Sequence, residues 1–311
     1  MDLDEDGHPD ILSGSYAQLT GSPIGAFQVL WGTESGEFKK PEPLKGADGK
    51  PLAISGPDKK TAVPICTRPF AVDWDGDGDL DLVVGNLSGR FFLFRGEGKG
   101  RFAPKCEPLE AGGKPLRLPK YNPPGHRLPP PPNAPPPSSH PDEHGDPVVV
   151  DWDGDGDLDI LSGSDSGAVY LAENTAGKGK KPVLQPFKTL IGRPRDNPEL
   201  KEATFETILP DHPYRPVRIW VDDMDGDGDL DILVGDATSF SHAAEGLDKE
   251  TYEKKLAEWR EKKRELNEKI FQTKDKEERR KLQQISTRHW LSIKKIIEKE
   301  DTGFVWLYRR K

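Results

Sequence analysis

Four copies of one nine-residue acidic loop, each running straight into a short apolar strand that ends in glycine, constrain this chain more than any other feature. The loops are Asp2–Asp10, Asp73–Asp81, Asp151–Asp159 and Asp223–Asp231, all of the form DxDxDGxxD. The strands that follow are Ile11–Gly14, Leu82–Gly85, Ile160–Gly163 and Ile232–Gly235. Asp and Gly favour turns in any protein, so a single copy would carry little weight. Four copies with one carboxylate spacing and one following strand define a structural repeat.

Carboxylates at loop positions 1, 3, 5 and 9, a backbone carbonyl at 7 and a glycine at 6 make an oxygen cage suited to a hard, flexible cation. Calcium is the expected occupant, with up to four ions per chain. The expected ligands are Asp2, Asp4, Asp6 and Asp10; Asp73, Asp75, Asp77 and Asp81; Asp151, Asp153, Asp155 and Asp159; and Asp223, Asp225, Asp227 and Asp231. The carbonyls of His8, Asp79, Asp157 and Asp229 complete the sets. An EF-hand begins the same way but needs a bidentate Glu at position 12 and a helix on each side. Here position 12 is Ser13, Val84, Ser162 or Val234, and the flanks are strand-like. The ninth residue must therefore supply what an EF-hand takes from its twelfth.

Aligning the copies extends the repeat. An apolar segment precedes three loops: Phe70–Val72, Val148–Val150 and Val217–Val221. A third strand carrying aromatics follows the second: Gly25–Trp31, Gly89–Phe94, Gly167–Leu171 and Gly303–Tyr308. A fourth is read at Ser35–Phe38, Gly98–Phe102 and Lys180–Leu184. Four-stranded sheets repeated radially are the blades of a β-propeller.

These residues resemble the FG-GAP/VCBS repeats of integrin-α-like propellers, whose blades carry this calcium loop between strands one and two. The FG and GAP tripeptides are not legible here, so the bacterial VCBS type is the closer likeness. The resemblance covers most of residues 1–237 and about the last ten. The expected fold is all-β: a propeller of four calcium-loop blades, incomplete at the N-terminus because Asp2 follows Met1 directly, with an inserted antiparallel helical hairpin; the alternative is a compact four-blade ring. The expected division is propeller blades over 1–245, the hairpin over 246–301 and the last propeller strand over 302–311.

Two inserts interrupt the pattern. Residues 108–147 contain the proline-dominated run Leu128–Pro137, which reads as extended polyproline. His140 and His144 flank Pro141, Asp142 and Glu143, but the proline prevents the helix that would align both rings on a metal, so a solvated loop is expected. Leu247–Glu300 has helical periodicity, with Tyr252, Leu256, Trp259, Leu266 and Ile270 on one stripe and Leu282, Ile285, Trp290, Ile293 and Ile297 on another. From Asp248 to Glu300 there are 17 Lys+Arg against 12 Asp+Glu, so this piece is +5 and the remainder of the −9 chain is −14. Bound cations would relieve the repulsion among the acidic loops. The mixed charges around an apolar seam read as a solvated face, not a nucleic-acid surface.

Only 33% of the residues are hydrophobic, and no run is apolar enough to span a bilayer. The chain shows no signal peptide, Met1 leading directly into carboxylates. Weak calcium sites fill at extracellular calcium levels, so a periplasmic, cell-surface or secreted location is expected. Cys66 and Cys106 permit one bridge at most and read as free thiols. In a propeller of this kind the calcium loops lie on one face and both inserts on the other. The expected function is a non-catalytic, calcium-stabilised extracellular scaffold that binds a protein or glycan partner on the insert-bearing face, without nucleic acid or membrane insertion. The alternative is a domain of a carbohydrate-active enzyme such as a polysaccharide lyase. Against it, the sequence has no GxSxG, HExxH, P-loop or Asp-box, and His212 stands alone.

Overall fold

The central strands are apolar on both faces, and the architecture follows from what each face meets. A computed structural model describes residues 1–16, 25–54, 66–119, 144–192 and 211–310. The proline-dominated run Leu128–Pro137 and His140 lie outside the described residues. The chain is mostly β, in several small antiparallel sheets with two helices, and none of the sheets closes on itself among the described residues. It divides into two units, one holding Met1–Arg193, Arg215–Asp236 and Val305–Lys311, the other Pro194–Tyr214 and Ala237–Phe304.

The first unit holds four sheets. Sheet one is β1 (Ile11–Gly14), β2 (Phe27–Leu30) and β3 (Glu42–Pro43). Sheet two is β4 (Arg68–Val72), β5 (Asp81–Gly85), β6 (Phe91–Phe94) and β7 (Glu107–Pro108), followed by a ribbon of β8 (Glu110–Ala111) and β9 (Lys114–Pro115). Sheet three is β10 (Asp146–Val150), β11 (Asp159–Gly163), β12 (Val169–Ala172) and β13 (Lys188–Ile191). Sheet four joins β14 (Val217–Asp222) and β15 (Asp231–Asp236) to the distant β18 (Val305–Tyr308); β16 (Thr238–Ala243) and β17 (Ile297–Thr302) lie between them in sequence, in the second unit. Leu233 pairs with Leu307 and Val234 with Trp306, so the long insertion falls between the second and third strands of this sheet.

The fourth strands differ from the sequence reading. Phe38, Phe102 and Leu184 each make an isolated antiparallel bridge to the second residue past the third strand, Gly32, Gly96 and Asn174 respectively. The paired strands β3, β7 and β13 come later. Proline explains the interruption. Pro41, Pro104 and Pro186 stand between bridge and strand in the three copies, and a residue without an N–H breaks the ladder.

Successive residues on a strand point to opposite faces, and here the two faces of a sheet serve two different neighbours. Leu82, Val84, Phe92 and Phe94 of sheet two share a buried cluster with Leu3, Phe27 and Val29 of sheet one. Val83, Phe91 and Leu93 turn the other way, into a cluster with Val149, Ile160, Tyr170 and Ala172 of sheet three. Val148, Leu161, Val169 and Leu171 then join Val217, Ile219, Val221, Ile232 and Val234 of sheet four. Sheets one to four thus pack in chain order, the rear face of each against the front face of the next.

Backbone contacts repeat at the three junctions. The N–H of Thr67 donates to Ser15 O at 3.2 Å, that of Gly145 to Asn86 O at 3.0 Å and that of Val217 to Ser164 O at 3.0 Å. Each acceptor follows the glycine that ends a second strand, and those glycines lie against the incoming chain: a Cβ on Gly14 would meet Thr67 O, one on Gly85 would meet Gly145 O, and one on Gly163 would stand 2.6 Å from Val217 O.

In the second unit, Asp248 caps α1 (Lys249–Gln272) by accepting from Thr251 N, and Asp275 caps α2 (Lys276–Leu291) by accepting from Glu278 N. Side-chain acceptors at this position satisfy N–H groups that lack intrahelical partners. Trp259 Nε1 donates to His289 O at 2.9 Å, and the two rings stack with centroids 5.2 Å apart. Tyr252, Leu256 and Leu266 of the first expected stripe are buried. The second stripe is only partly as expected. Ile285 and Trp290 are exposed, and Ile297–Glu300, read as helical, belongs to β17, which pairs with β16. A 3-10 turn at Ser292–Lys295 ends the helical run before the β-branched pair Ile296 and Ile297, residues that favour a strand.

Gly163→Ala is expected to destabilise the protein by about 1–3 kcal/mol through overpacking at the sheet three–sheet four junction. Gly235→Ala, whose Cβ would meet nothing nearer than Arg218 O at 3.9 Å, should change stability by no more than about 0.5 kcal/mol. Urea melts of the two variants provide the check.

Candidate metal centres

Each acidic loop is wound around its own first carboxylate. Asp2 accepts from Asp6 N at 3.1 Å and Gly7 N at 2.9 Å. Asp73 accepts from Gly76, Asp77 and Gly78, Asp151 from Gly154 and Gly156, and Asp223 from Gly226, Asp227 and Gly228. The fifth residue then accepts from the N–H of the seventh in all four loops, at 2.9 to 3.0 Å. Such a turn needs left-handed backbone at two places. The glycine at position 6 has φ between +89° and +97° in all four. Position 4 needs it as well: Gly76, Gly154 and Gly226 have φ of +76° to +78°, and Glu5 takes +62° without the freedom of glycine. The sequence reading missed this second requirement, although glycine stands there in three of the four copies.

The winding brings carboxylate oxygens together. One oxygen from each of Asp2, Asp4 and Asp6 lies within 4.8 Å of the others, and the same holds for Asp73, Asp75 and Asp77, for Asp151, Asp153 and Asp159, and for Asp223, Asp225 and Asp227. Oxygens bound to one calcium at about 2.4 Å are at most about 4.8 Å apart. The donor set is thus of the right chemistry and spacing for a hard cation, and Asp4 Oδ1 is buried with no hydrogen-bond partner. The residues fit calcium, which they would hold through positions 1, 3 and 5, or 1, 3 and 9 in the third loop.

The ninth residues have a further task. Asp10 Oδ2 accepts from Leu3 N at 2.7 Å and Oδ1 from Gly32 N at 2.8 Å. Asp81 accepts from Trp74 N and Gly96 N, and Asp159 from Trp152 N and Asn174 N. Asp231 accepts from Arg310 N at 3.0 Å, while its Oδ2 is buried without a partner. Each therefore ties its loop, or in the fourth copy its second strand, to the second residue after the third strand. All four are buried. Burial pushes the carboxyl of Asp159 up to about 6, against the pull of its two N–H donors, and raises that of Asp81 in the same way. Burial also raises Asp4, with Asp10 and Asp6 adding to the effect.

The loops differ in their cationic neighbours. Arg95 forms an ion pair with Asp75, and Arg309 Nη1 lies 3.4 Å from Asp225 Oδ2. The corresponding residues of the first and third copies are Trp31 and Glu173, the latter paired with Lys188. In loops two and four a guanidinium thus contacts a carboxylate expected to hold metal.

A polar cluster sits at the other end of the first strands. Asp146 lies 3.1 Å from Arg218 Nε and 3.8 Å from Arg68 Nε, and His144 pairs with Asp165. Arg68, Asp146 and Arg218 each stand five residues before the first Asp of a loop, a recurrence that the sequence reading passed over by following only apolar positions. Burial raises the Asp146 carboxyl and lowers Arg218, each opposed by the other's charge. Cys66 and Cys106 are not joined in a disulfide, and burial raises the Cys66 thiol. His212 contacts the adjacent Asp211.

Asp159→Ala is expected to cost about 2–4 kcal/mol even in chelator, because it strands two buried N–H donors. Asp155→Ala, which loses one part-buried loop hydrogen bond, should cost only about 1 kcal/mol under the same conditions. Denaturant unfolding in EDTA separates the two.

Comparison with known proteins gives one family match. Residues 151–234 match the FG-GAP-like repeat, a span that starts at the first carboxylate of the third loop and ends on β15. No curated protein and no solved structure matches the chain.

Proposed function

We propose that this chain is a calcium-binding β-propeller scaffold of the integrin-α-like, VCBS type, working outside the cytoplasm and binding a protein or glycan partner without catalysing a reaction. The observation that carries the reading is the fourfold recurrence of one loop geometry, with three carboxylate oxygens within 4.8 Å in every copy. Four chance acidic turns would not share the same pair of left-handed positions and a buried carboxylate at the ninth place. The propeller form is supported by the serial packing of the four sheets, rear face to front face, each sheet being one blade.

The scaffold reading rests on where the chain carries its extra length. The loops join first strands to second strands, whereas the insertion holding α1 and α2, taken as an antiparallel helical hairpin, joins the second strand of sheet four to its third. These connections fall at opposite ends of the strands. A fold that keeps one end short and metal-bound and elaborates the other offers the elaborated end for recognition. The reading of a location outside the cytoplasm is supported by the high calcium found there, at which weak sites fill.

Calcium is expected to raise the melting temperature, each independent site adding about 2.7 kcal/mol when free calcium exceeds its Kd a hundredfold. Asp77→Ala should weaken the second site, and Asp79→Ala much less, because position 7 offers its backbone oxygen. Arg95→Gln should tighten that site by releasing Asp75 from its ion pair. Isothermal titration with calorimetric melting checks all three, and a chain whose melting ignores both calcium and chelator would sink the proposal. Excising residues 248–292 and joining the ends through a short glycine linker should remove the helical circular dichroism while retaining the calcium-dependent melting. Loss of both signals would make the helices part of the core.

A further inference from the structure

In sheets one and three a small residue stands just before the third strand. Ala26 precedes β2 and Ala168 precedes β12, and both are buried. Sheet two departs from this, with Arg90 in the position before β6. The residue across from it departs in the same way. In sheet one Ala26 forms an antiparallel bridge with Ala53, and in sheet two Arg90 forms the corresponding bridge with Arg117. The backbone on either side fixes the equivalence: Ile54 N donates to Gly25 O at 3.3 Å, and Leu118 N donates to Gly89 O at 2.9 Å. Two arginines thus stand where the neighbouring sheet has two alanines, so the fold itself does not call for them. Residues directly opposite in an antiparallel pair share a face, with Cβ atoms about 4.5–5.5 Å apart, and like charges there repel. The Nε atoms of Arg90 and Arg117 are both buried with no hydrogen-bond partner. Among the described residues no carboxylate pairs with either guanidinium, whereas Arg68, Arg95, Arg218 and Arg309 each have one. A buried donor without an acceptor is costly, and two of them side by side, each on a cation, are set for one anionic acceptor.

We propose that Arg90 and Arg117 form a binding site for a tetrahedral oxyanion, a phosphate or sulfate group. Charge and geometry select this class. The two guanidiniums together carry two positive charges, which one dianion balances and one carboxylate does not. Each guanidinium presents parallel N–H groups to a pair of oxygens. A tetrahedral group has oxygens for two such forks, whereas a carboxylate has only two oxygens in all. Both arginines are half-buried, so the far side of the anion stays open to solvent and the group can be carried on a larger molecule. The site lies in the connection from second to third strand, at the strand end opposite the acidic loops. It depends on neither a bound metal nor the scaffold reading.

The test follows the arginine Nε–H signals of the full chain by nitrogen-15 NMR, in calcium chloride at constant ionic strength. Arg90→Lys and Arg117→Lys each remove one signal and so assign the pair. Inorganic sulfate is expected to shift both signals with a Kd on the order of 1 mM, and acetate to bind at least about tenfold more weakly. Methyl phosphate should act as sulfate does; a site that takes sulfate and refuses the ester serves the free ion and not a group on a partner. The double variant Arg90→Ala/Arg117→Ala restores the alanine pair of sheet one. It should melt no lower than the parent chain and lose sulfate binding in titration calorimetry. Signals that stay in place through the sulfate titration overturn the proposal. So does sulfate affinity undiminished in the double variant, or acetate binding as tightly as sulfate, which would make this a carboxylate site.

Discussion

A buried carboxylate at the ninth place of each loop is the point on which the repeated unit depends. Taking an ionised group out of water is costly unless hydrogen bonds replace the lost hydration, and Asp10, Asp81 and Asp159 obtain theirs from two backbone N–H groups on different segments. One donor belongs to the second loop residue and the other to the second residue past the third strand. Loop, second strand and third strand are thereby fastened at one atom group. The loop's shape and the sheet's register become a single cooperative property, so anything that firms the loop also firms the sheet.

The same loops carry an opposing force. Carboxylates at positions 1, 3 and 5 face one another closely, and their mutual repulsion rises as water is excluded. Backbone N–H donors hold the first and fifth residues in place, which preorganises the oxygens but does not neutralise them. In loops two and four Arg95 and Arg309 supply part of the missing charge. Loops one and three have no such neighbour at that position, and one of them contains the partnerless Asp4 Oδ1. The four sites are alike in winding and unlike in charge, and a cation would gain most where no guanidinium stands in for it.

Much of this was legible in the sequence because it is encoded locally. The DxDxDGxxD spacing gives the loop, and the following apolar tetrapeptides give β5, β11 and β15 beside their third strands, even across the insertion before Val305. What escaped depends on contacts between distant residues. A single-residue bridge from Phe38, Phe102 or Leu184 looks like a strand until the proline after it is weighed. The turn of Ile297 from helix to strand is decided by pairing with residues 238–243, which no helical period reveals. Ile285 and Trp290 read as one stripe with Leu282, yet they stand exposed while His289 takes the contact with Trp259. The Arg68–Asp146–Arg218 row lies at a constant offset from the loops and was within reach. The first strands bring these alternating charges side by side.

The tolerance of sheet four for a long insertion has a simple physical basis. Closing a loop costs entropy that grows only with the logarithm of its length, about 0.6 kcal/mol per doubling. The insertion reduces even that, because it begins and ends with paired strands. Thr238 lies opposite Thr302 and Ala243 opposite Ile297, so the two points at which it leaves and rejoins the sheet are already held together. Tyr252, Leu256 and Ile296 give it a small core of its own, with Leu247, Ile293 and Ile297 packed around them. The third strand therefore returns to β15 without a shift in its four-residue register. An element that supplies its own closure and its own core can be gained or lost without renegotiating the sheet that carries it, and the second-to-third strand connection is where this repeat can grow.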